Sequence, residues 1–132
     1  MKIFICCSKH FYDKIPPIKE KLESMGHVVT LPNSYSNPML EYEIKHKSKG
    51  AHNKWKADMF RLSEQRIKDN DAVLVLNFEK KGQQNYVGGA TFIEMYKAFE
   101  LGKGLFLYNP IPEGMLKDEI ESFDPVLING DL

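Results

Sequence analysis

The chain predicts a single doubly wound α/β domain, residues 1–132, built on a five-stranded parallel sheet, and three observations carry that reading. Short runs rich in β-formers, such as "KIFICC", "DAVLVLN" and "LFLY", lack strict polar alternation, as expected of strands buried on both faces. Segments of helical period separate these runs, and alternating strands and helices joined by right-handed crossovers give a parallel sheet covered on both sides. A length of 132 residues, 42% hydrophobic and 27% charged, suits one core and leaves little room for a second domain.

"KIFICC" is the first strand. In "IPPIKEKLESMG" the apolar residues Ile15, Ile18, Leu22 and Met25 share one helical face, Pro16 and Pro17 suit the first turn, and Gly26 sits where a C-terminal cap belongs. "HVVTL" is the second strand, closed by Pro32 and the turn-rich "PNSYSNP". Residues 39–54 are polar and keep no convincing period, which predicts a mobile excursion containing a short helix. "KWKADMFRLSEQRIKDN" then sets Trp55, Met59, Leu62, Arg66 and Ile67 in a mostly apolar helical stripe that leads into the strand "DAVLVLN". After the loop "FEKKGQQNYVGG" comes a helix with Phe92, Met95, Tyr96 and Phe99 on overlapping apolar faces, stopped at residues 102–104. "LFLY", a weak helix around residues 115–122 and the strand "PVLI" complete the chain. A strand order of 2-1-3-4-5, the flavodoxin-type variant of a Rossmann-like sheet, puts the switch point between strands one and three, where ligands bind beyond the carboxyl ends.

Lys and Arg balance Asp and Glu at 18 each, so the composition gives no electrostatic case for a nucleic acid polymer or a membrane surface. A small anionic ligand held by local groups fits it. Cys6 and Cys7 are adjacent on a strand with alternating directions, which disfavours a mutual disulfide. No metal-ligand spacing accompanies them, and they read as buried thiols in a reducing compartment. No metal or cofactor is expected. With no signal-peptide pattern and no membrane-length apolar run, a cytoplasmic location is expected.

The switch point singles out two loops. Ser8 and Lys9, in the first strand-to-helix turn, offer a hydroxyl and an ammonium beside a helix N-terminus, an arrangement suited to phosphate, although any loop can carry both residues. Asn77, at the end of the third strand, can read a base or sugar or can fix its own loop. Tyr86 can stack on a planar group or cover the loop, and Gly88-Gly89 permits either close ligand approach or a tight turn. Asp71 reads as a turn or cap residue. Thr91-x-x-Glu94 fits a helix capping box. Glu94 equally fits a carboxylate facing the ligand, since both readings place it in the first turns of one helix. Asp58 and Glu64 lie six apart on the preceding helix, share no face, and read by default as solvated charges.

Taken in order, strand–"CS"–helix, helix–"NDAVLVLN" and "GGATFIEMYKAFELGK" resemble the nucleoside 2-deoxyribosyltransferase superfamily, which includes the 2'-deoxynucleoside 5'-phosphate N-hydrolases. Thr91, Glu94, Ala98 and Lys103 fall on or next to the fixed positions of that superfamily's "GT-x-x-E-x-G-x-A-x-x-x-x-K" segment. The resemblance implies cleavage or transfer of an N-glycosidic bond on a 2'-deoxynucleoside or its 5'-monophosphate, with Glu94 as nucleophile through a covalent glycosyl intermediate. It also implies a 5'-substituent held at Ser8, where Lys9 suits a phosphate, and a homodimer or larger assembly. This chain departs from the pattern at Gly88, Ser63, Tyr96 and Cys7. The second acid expected near Ser63 is absent, and Asp58 and Glu64 are the nearest acids to that role. Two further readings share the scaffold: a non-catalytic nucleotide-binding or sensor protein, and a nucleoside-monophosphate phosphoribohydrolase, whose "GG-x-GT-x-x-E" resembles "GGATFIE".

Overall fold

The computed structural model describes residues 1–132. Its five parallel strands are β1 (Lys2–Cys6), β2 (Val28–Thr30), β3 (Ala72–Val75), β4 (Gly104–Leu107) and β5 (Val126–Leu127), in the expected order β2-β1-β3-β4-β5. β1 pairs with β3 from Ile3 opposite Ala72 to Cys6 opposite Val75, and β3 pairs with β4 from Ala72 opposite Gly104 to Val75 opposite Leu107. The helices are α1 (Ile15–Ser24), α2 (Leu40–Lys47), α3 (Lys49–Asp69), α4 (Gly89–Glu100) and α5 (Lys117–Ser122), and a 3-10 turn, Lys9–Lys14, precedes α1.

The two-residue period of the strands divides the core. On one face Phe4, Cys6, Val73, Val75, Leu105 and Leu107 pack with Ile67 of α3, Met95 and Ala98 of α4, and Ile120 of α5. On the other face Ile3, Ile5, Leu74 and Leu76 pack with Ile15, Ile18 and Leu22 of α1. The near-continuous apolar runs in the sequence follow from this double burial. α1 ends as its spacing implies. Gly26 adopts φ 92°, a left-handed conformation that an L side chain strains to reach, and the His27 amide donates to the Leu22 carbonyl at 3.1 Å.

Residues 39–54 depart from the expectation of an excursion with one short helix. They hold α2 and the first turns of α3, which therefore begins at Lys49, ahead of the apolar stripe that starts at Trp55. α2 buries no residue, so no apolar period announces it, and charge arrangement supports it instead. Glu41 and Glu43 lie in its first turn and Lys45, His46 and Lys47 in its last, as the helix dipole favours. Ser48 separates the two helices, and its Oγ caps α3 by accepting from the Ala51 amide at 3.0 Å. Asp71 has the structural role its position suggests: Oδ2 accepts from the Lys2 amide at 2.7 Å, tying the start of β1 to the start of β3.

Candidate functional site

A cleft of about 340 Å³ opens beyond the carboxyl ends of β1 and β3, where the strand order reverses. Cys6, Cys7, Ser8, Lys9 and His10 line it from the β1 end, and Tyr86, Gly88, Gly89, Thr91 and Glu94 from the start of α4. α3 forms a third side with Trp55, Lys56, Met59, Phe60 and Ser63, and the segment after β2 contributes Asn33. Seven of the residues expected from the sequence thus meet at one cleft: Ser8, Lys9, Tyr86, Gly88, Gly89, Thr91 and Glu94.

Glu94 is placed by α4, which begins at Gly89 with Gly88 as its cap and no side-chain capping bond. The Thr91–Glu94 capping box is therefore not formed. The helix starts two residues before Thr91, so Thr91 lies within its first turn and shares with Glu94 the face turned to the cleft. The carboxylate turns to α3 instead, where Ser63 Oγ donates to Glu94 Oε2 at 2.8 Å. Ser63 in turn accepts from Asn33 Nδ2 at 2.8 Å, and the same Nδ2 donates to the Met59 carbonyl at 3.2 Å. Burial pushes the Glu94 carboxyl up to about 7, against the hydrogen bonds from Ser63 and the Cys6 thiol, which favour the carboxylate. Burial and then the nearby Glu94 charge push Cys7 up to about 12 and Cys6 likewise well above the ordinary thiol value. Both shifts favour the protonated thiol over the reactive thiolate.

The rim is cationic around one acid. Glu41 of α2 meets His52 Nε2 at 3.0 Å, Lys56 Nζ at 3.6 Å and Lys9 Nζ at 3.8 Å. Burial alone would raise its carboxyl, but the His52 hydrogen bond and the Lys56 and Lys9 charges outweigh that and hold it low. Burial, followed by the charges of Lys80, Lys81 and Lys9, lowers the imidazole pKa of His10 and favours its neutral form. Lys80 Nζ lies 4.5 Å from the centre of the Tyr86 ring, which orients that ring at the cleft edge. A Cβ on Gly88 would come within 3.1 Å of the Tyr86 hydroxyl, so glycine there permits this close packing. Ser8 caps the 3-10 turn, its Oγ accepting from the His10 amide at 3.3 Å.

Three expected residues lie outside the cleft. Asn77 is 0% exposed and serves its loop, since Nδ2 donates to the Asn109 and Pro110 carbonyls at 3.0 and 2.9 Å and Oδ1 accepts from the Asn109 amide at 2.8 Å. Its polar atoms are occupied in joining the ends of β3 and β4. Asn77→Ala would leave those backbone groups unpaired and is expected to destabilise the fold by about 2 kcal/mol, measurable by urea denaturation. Asp58 pairs with Arg61 at 3.3 Å on the solvent side of α3. Glu64 bridges Lys68 at 2.9 Å and Lys97 at 3.7 Å. Each lies close in sequence to a cleft residue, and the rotation of roughly 100° between successive helical residues carries both away from the cleft.

Several lining residues differ from what their sequence context suggests. Trp55 and Met59 fit the apolar stripe of a core helix, but they face the cleft, and only Ser63 and Ile67 of α3 are buried. The spacing of Trp55, Met59 and Ser63 holds the signal, because one turn apart on one helix they must share a face. Asn33 carries no such signal, lying in a segment whose composition denotes only turns.

No protein-family model matches the chain, and no curated protein sequence does. Among solved structures, the fold is similar to that of the 2-deoxyribosyltransferase from the psychrotolerant bacterium Bacillus psychrosaccharolyticus, with 18% identity and a TM-score of 0.61 over 92% of this chain and 81% of that chain. The chain thus shares with that deoxyribosyltransferase a doubly wound α/β architecture.

Proposed function

We propose that this protein cleaves or transfers the N-glycosidic bond of a 2'-deoxynucleoside or its 5'-monophosphate, with Glu94 as the nucleophile. The observation that carries the reading is the placement of Glu94: a carboxylate at the switch-point cleft, held from α3 by Ser63. The fold likeness to a 2-deoxyribosyltransferase and the resemblance of "GGATFIEMYKAFELGK" support it. A Glu94 oxygen attacks the anomeric carbon, the C–N bond breaks, and the base leaves with the bonding electrons and takes up a proton. Water then attacks the glycosyl ester to release the sugar and free Glu94, or a second base does so to complete transfer. Trp55, Met59, Phe60 and Tyr86 supply apolar and aromatic surface suited to a planar base, while Ser8, Lys9, Lys56 and Lys80 suit a 5'-phosphate. The reading includes a homodimer or larger assembly, for which Ile93, Tyr96 and Phe99 on α4 offer an exposed apolar face.

Asp58 and Glu64 receive no step, because their partners and directions keep them from the cleft. That same observation favours a second reading, a nucleotide-binding protein without turnover. The deciding experiment offers deoxyribo- and ribonucleosides and their 5'-monophosphates, with and without an acceptor base, and follows base release by chromatography. Release from a deoxyribo-substrate, lost in Glu94→Ala, is the expected result. Turnover confined to ribonucleotides would indicate the phosphoribohydrolase reading. Tight nucleotide binding with no release from any member of the panel would establish the binding protein.

A further inference from the structure

Asn33 and Ser63 form a directed pair beside Glu94 on the cleft wall, and the direction follows from hydrogen-bond chemistry. The Met59 carbonyl can only accept, so the group of Asn33 that faces it at 3.2 Å must be the amide NH₂. The same Nδ2 reaches Ser63 Oγ at 2.8 Å, and a hydroxyl that accepts there has its single proton free for another acceptor. That acceptor is Glu94 Oε2, also at 2.8 Å. This orientation leaves Asn33 Oδ1 buried without a hydrogen-bond partner. An unpaired buried carbonyl oxygen is unfavourable, so the two bonds donated by Nδ2 hold the amide in this orientation against that penalty.

We propose that Asn33 and Ser63 are positioning residues, a two-bond relay that aims the Ser63 proton at Glu94 Oε2 and thereby holds the carboxylate so that Oε1 is the oxygen offered to the ligand. The inference rests on the assignment of Glu94 as nucleophile, but the relay itself can be measured without turnover. The ionisable groups around Glu94 are Cys6 and Cys7 at the end of β1 and Tyr12 in the following turn, all three with pKa values pushed up by burial first, so they are uncharged near neutrality. α3 faces it with the hydroxyl of Ser63, which makes the relay the adjustable polar contact on that side. A bond donated to the carboxylate favours the ionised form, and removing it raises the pH at which Glu94 titrates.

The test is a carbon-13 NMR titration of the glutamate side-chain carboxyls, with the Glu94 signal assigned by its loss in Glu94→Gln. Ser63→Ala is expected to move the Glu94 midpoint upward by about one pH unit, a tenfold change in proton affinity. Asn33→Ala is expected to move it less, and the double variant to match Ser63→Ala alone, because Asn33 acts through Ser63. Ser63→Thr, which keeps the hydroxyl, should restore the original value and guards against a packing effect. An unmoved midpoint in Ser63→Ala, or shifts of the two single variants that simply add, would overturn the relay. The acid limb of kcat/KM should follow the same shifts. Moved midpoints in a protein without turnover would uphold the relay and remove the catalytic reading, whereas turnover with unmoved midpoints would do the reverse.

Discussion

Glu94→Gln is expected to leave the protein folded and to lower base release by on the order of 10³-fold or more, since an amide of the same shape cannot form the glycosyl ester. The substitution is nearly isosteric, and the amide oxygen can still accept from Ser63 Oγ, as Oε2 does at 2.8 Å. Packing around Met95 and Ala98, the buried neighbours on α4, is untouched. Loss of activity with an unchanged circular dichroism spectrum would therefore report chemistry and not unfolding. The measurement is chromatographic base release under single-turnover conditions, which exposes the first displacement even where product release limits kcat. A variant retaining more than about one-tenth of the wild-type rate would remove Glu94 from the role of nucleophile.

The same substitution should alter how stability depends on pH. Burial raises the Glu94 carboxyl from 4.5 to about 7, so the folded protein holds this proton more tightly than the unfolded chain does. The contribution that favours folding is then fully present below pH 4.5, declines as pH rises, and is gone above about 7. Over the whole range the loss corresponds to about 3 kcal/mol. The amide introduced by Glu94→Gln does not titrate, so between pH 5 and pH 8 the wild type should lose about 2–3 kcal/mol relative to the variant. Urea denaturation of both proteins at several pH values checks this, and parallel curves would show that Glu94 is ionised throughout. With Glu94 as the proposed nucleophile, activity is expected to have the opposite slope, because the ionised form gains population as pH rises through about 7.

The sheet order was legible because each strand buries both faces and so declares itself in apolar runs, and because the helices between them enforce parallel crossovers. The meeting of Ser8, Lys9 and Glu94 at one cleft follows from that order. What escaped the sequence had no apolar period to show. α2 buries nothing, and its charges read as a polar excursion until the contacts of Glu41 with His52, Lys56 and Lys9 are seen. Asn77 stands where a ligand-reading amide would stand, yet its side chain joins the loop after β4, a choice made by backbone groups more than thirty residues away. The Thr91–Glu94 spacing is compatible with a capping box, but the register of α4 starts at Gly89 and assigns both residues to another face. Asn33 and Ser63 are thirty residues apart and chemically ordinary, and only the packing of α3 against the segment after β2 joins them.

α3, with 21 residues, is about 31 Å long, and the cleft uses it unevenly. Ser63 and Ile67, its two buried residues, anchor the C-terminal half beside the carboxylate, while Trp55, Lys56, Met59 and Phe60 lie upstream of them along the cleft wall. Under the proposed function, contact with the base and the hold on Glu94 would fall on separate stretches of this one helix. Variation in the upstream stretch can redraw the shape and charge met by an incoming base while the downstream stretch keeps its grip on Glu94. If Glu94 is the nucleophile, the helix resembles a key blank with a fixed bow, and substrate preference would be free to drift while the chemistry stays in place.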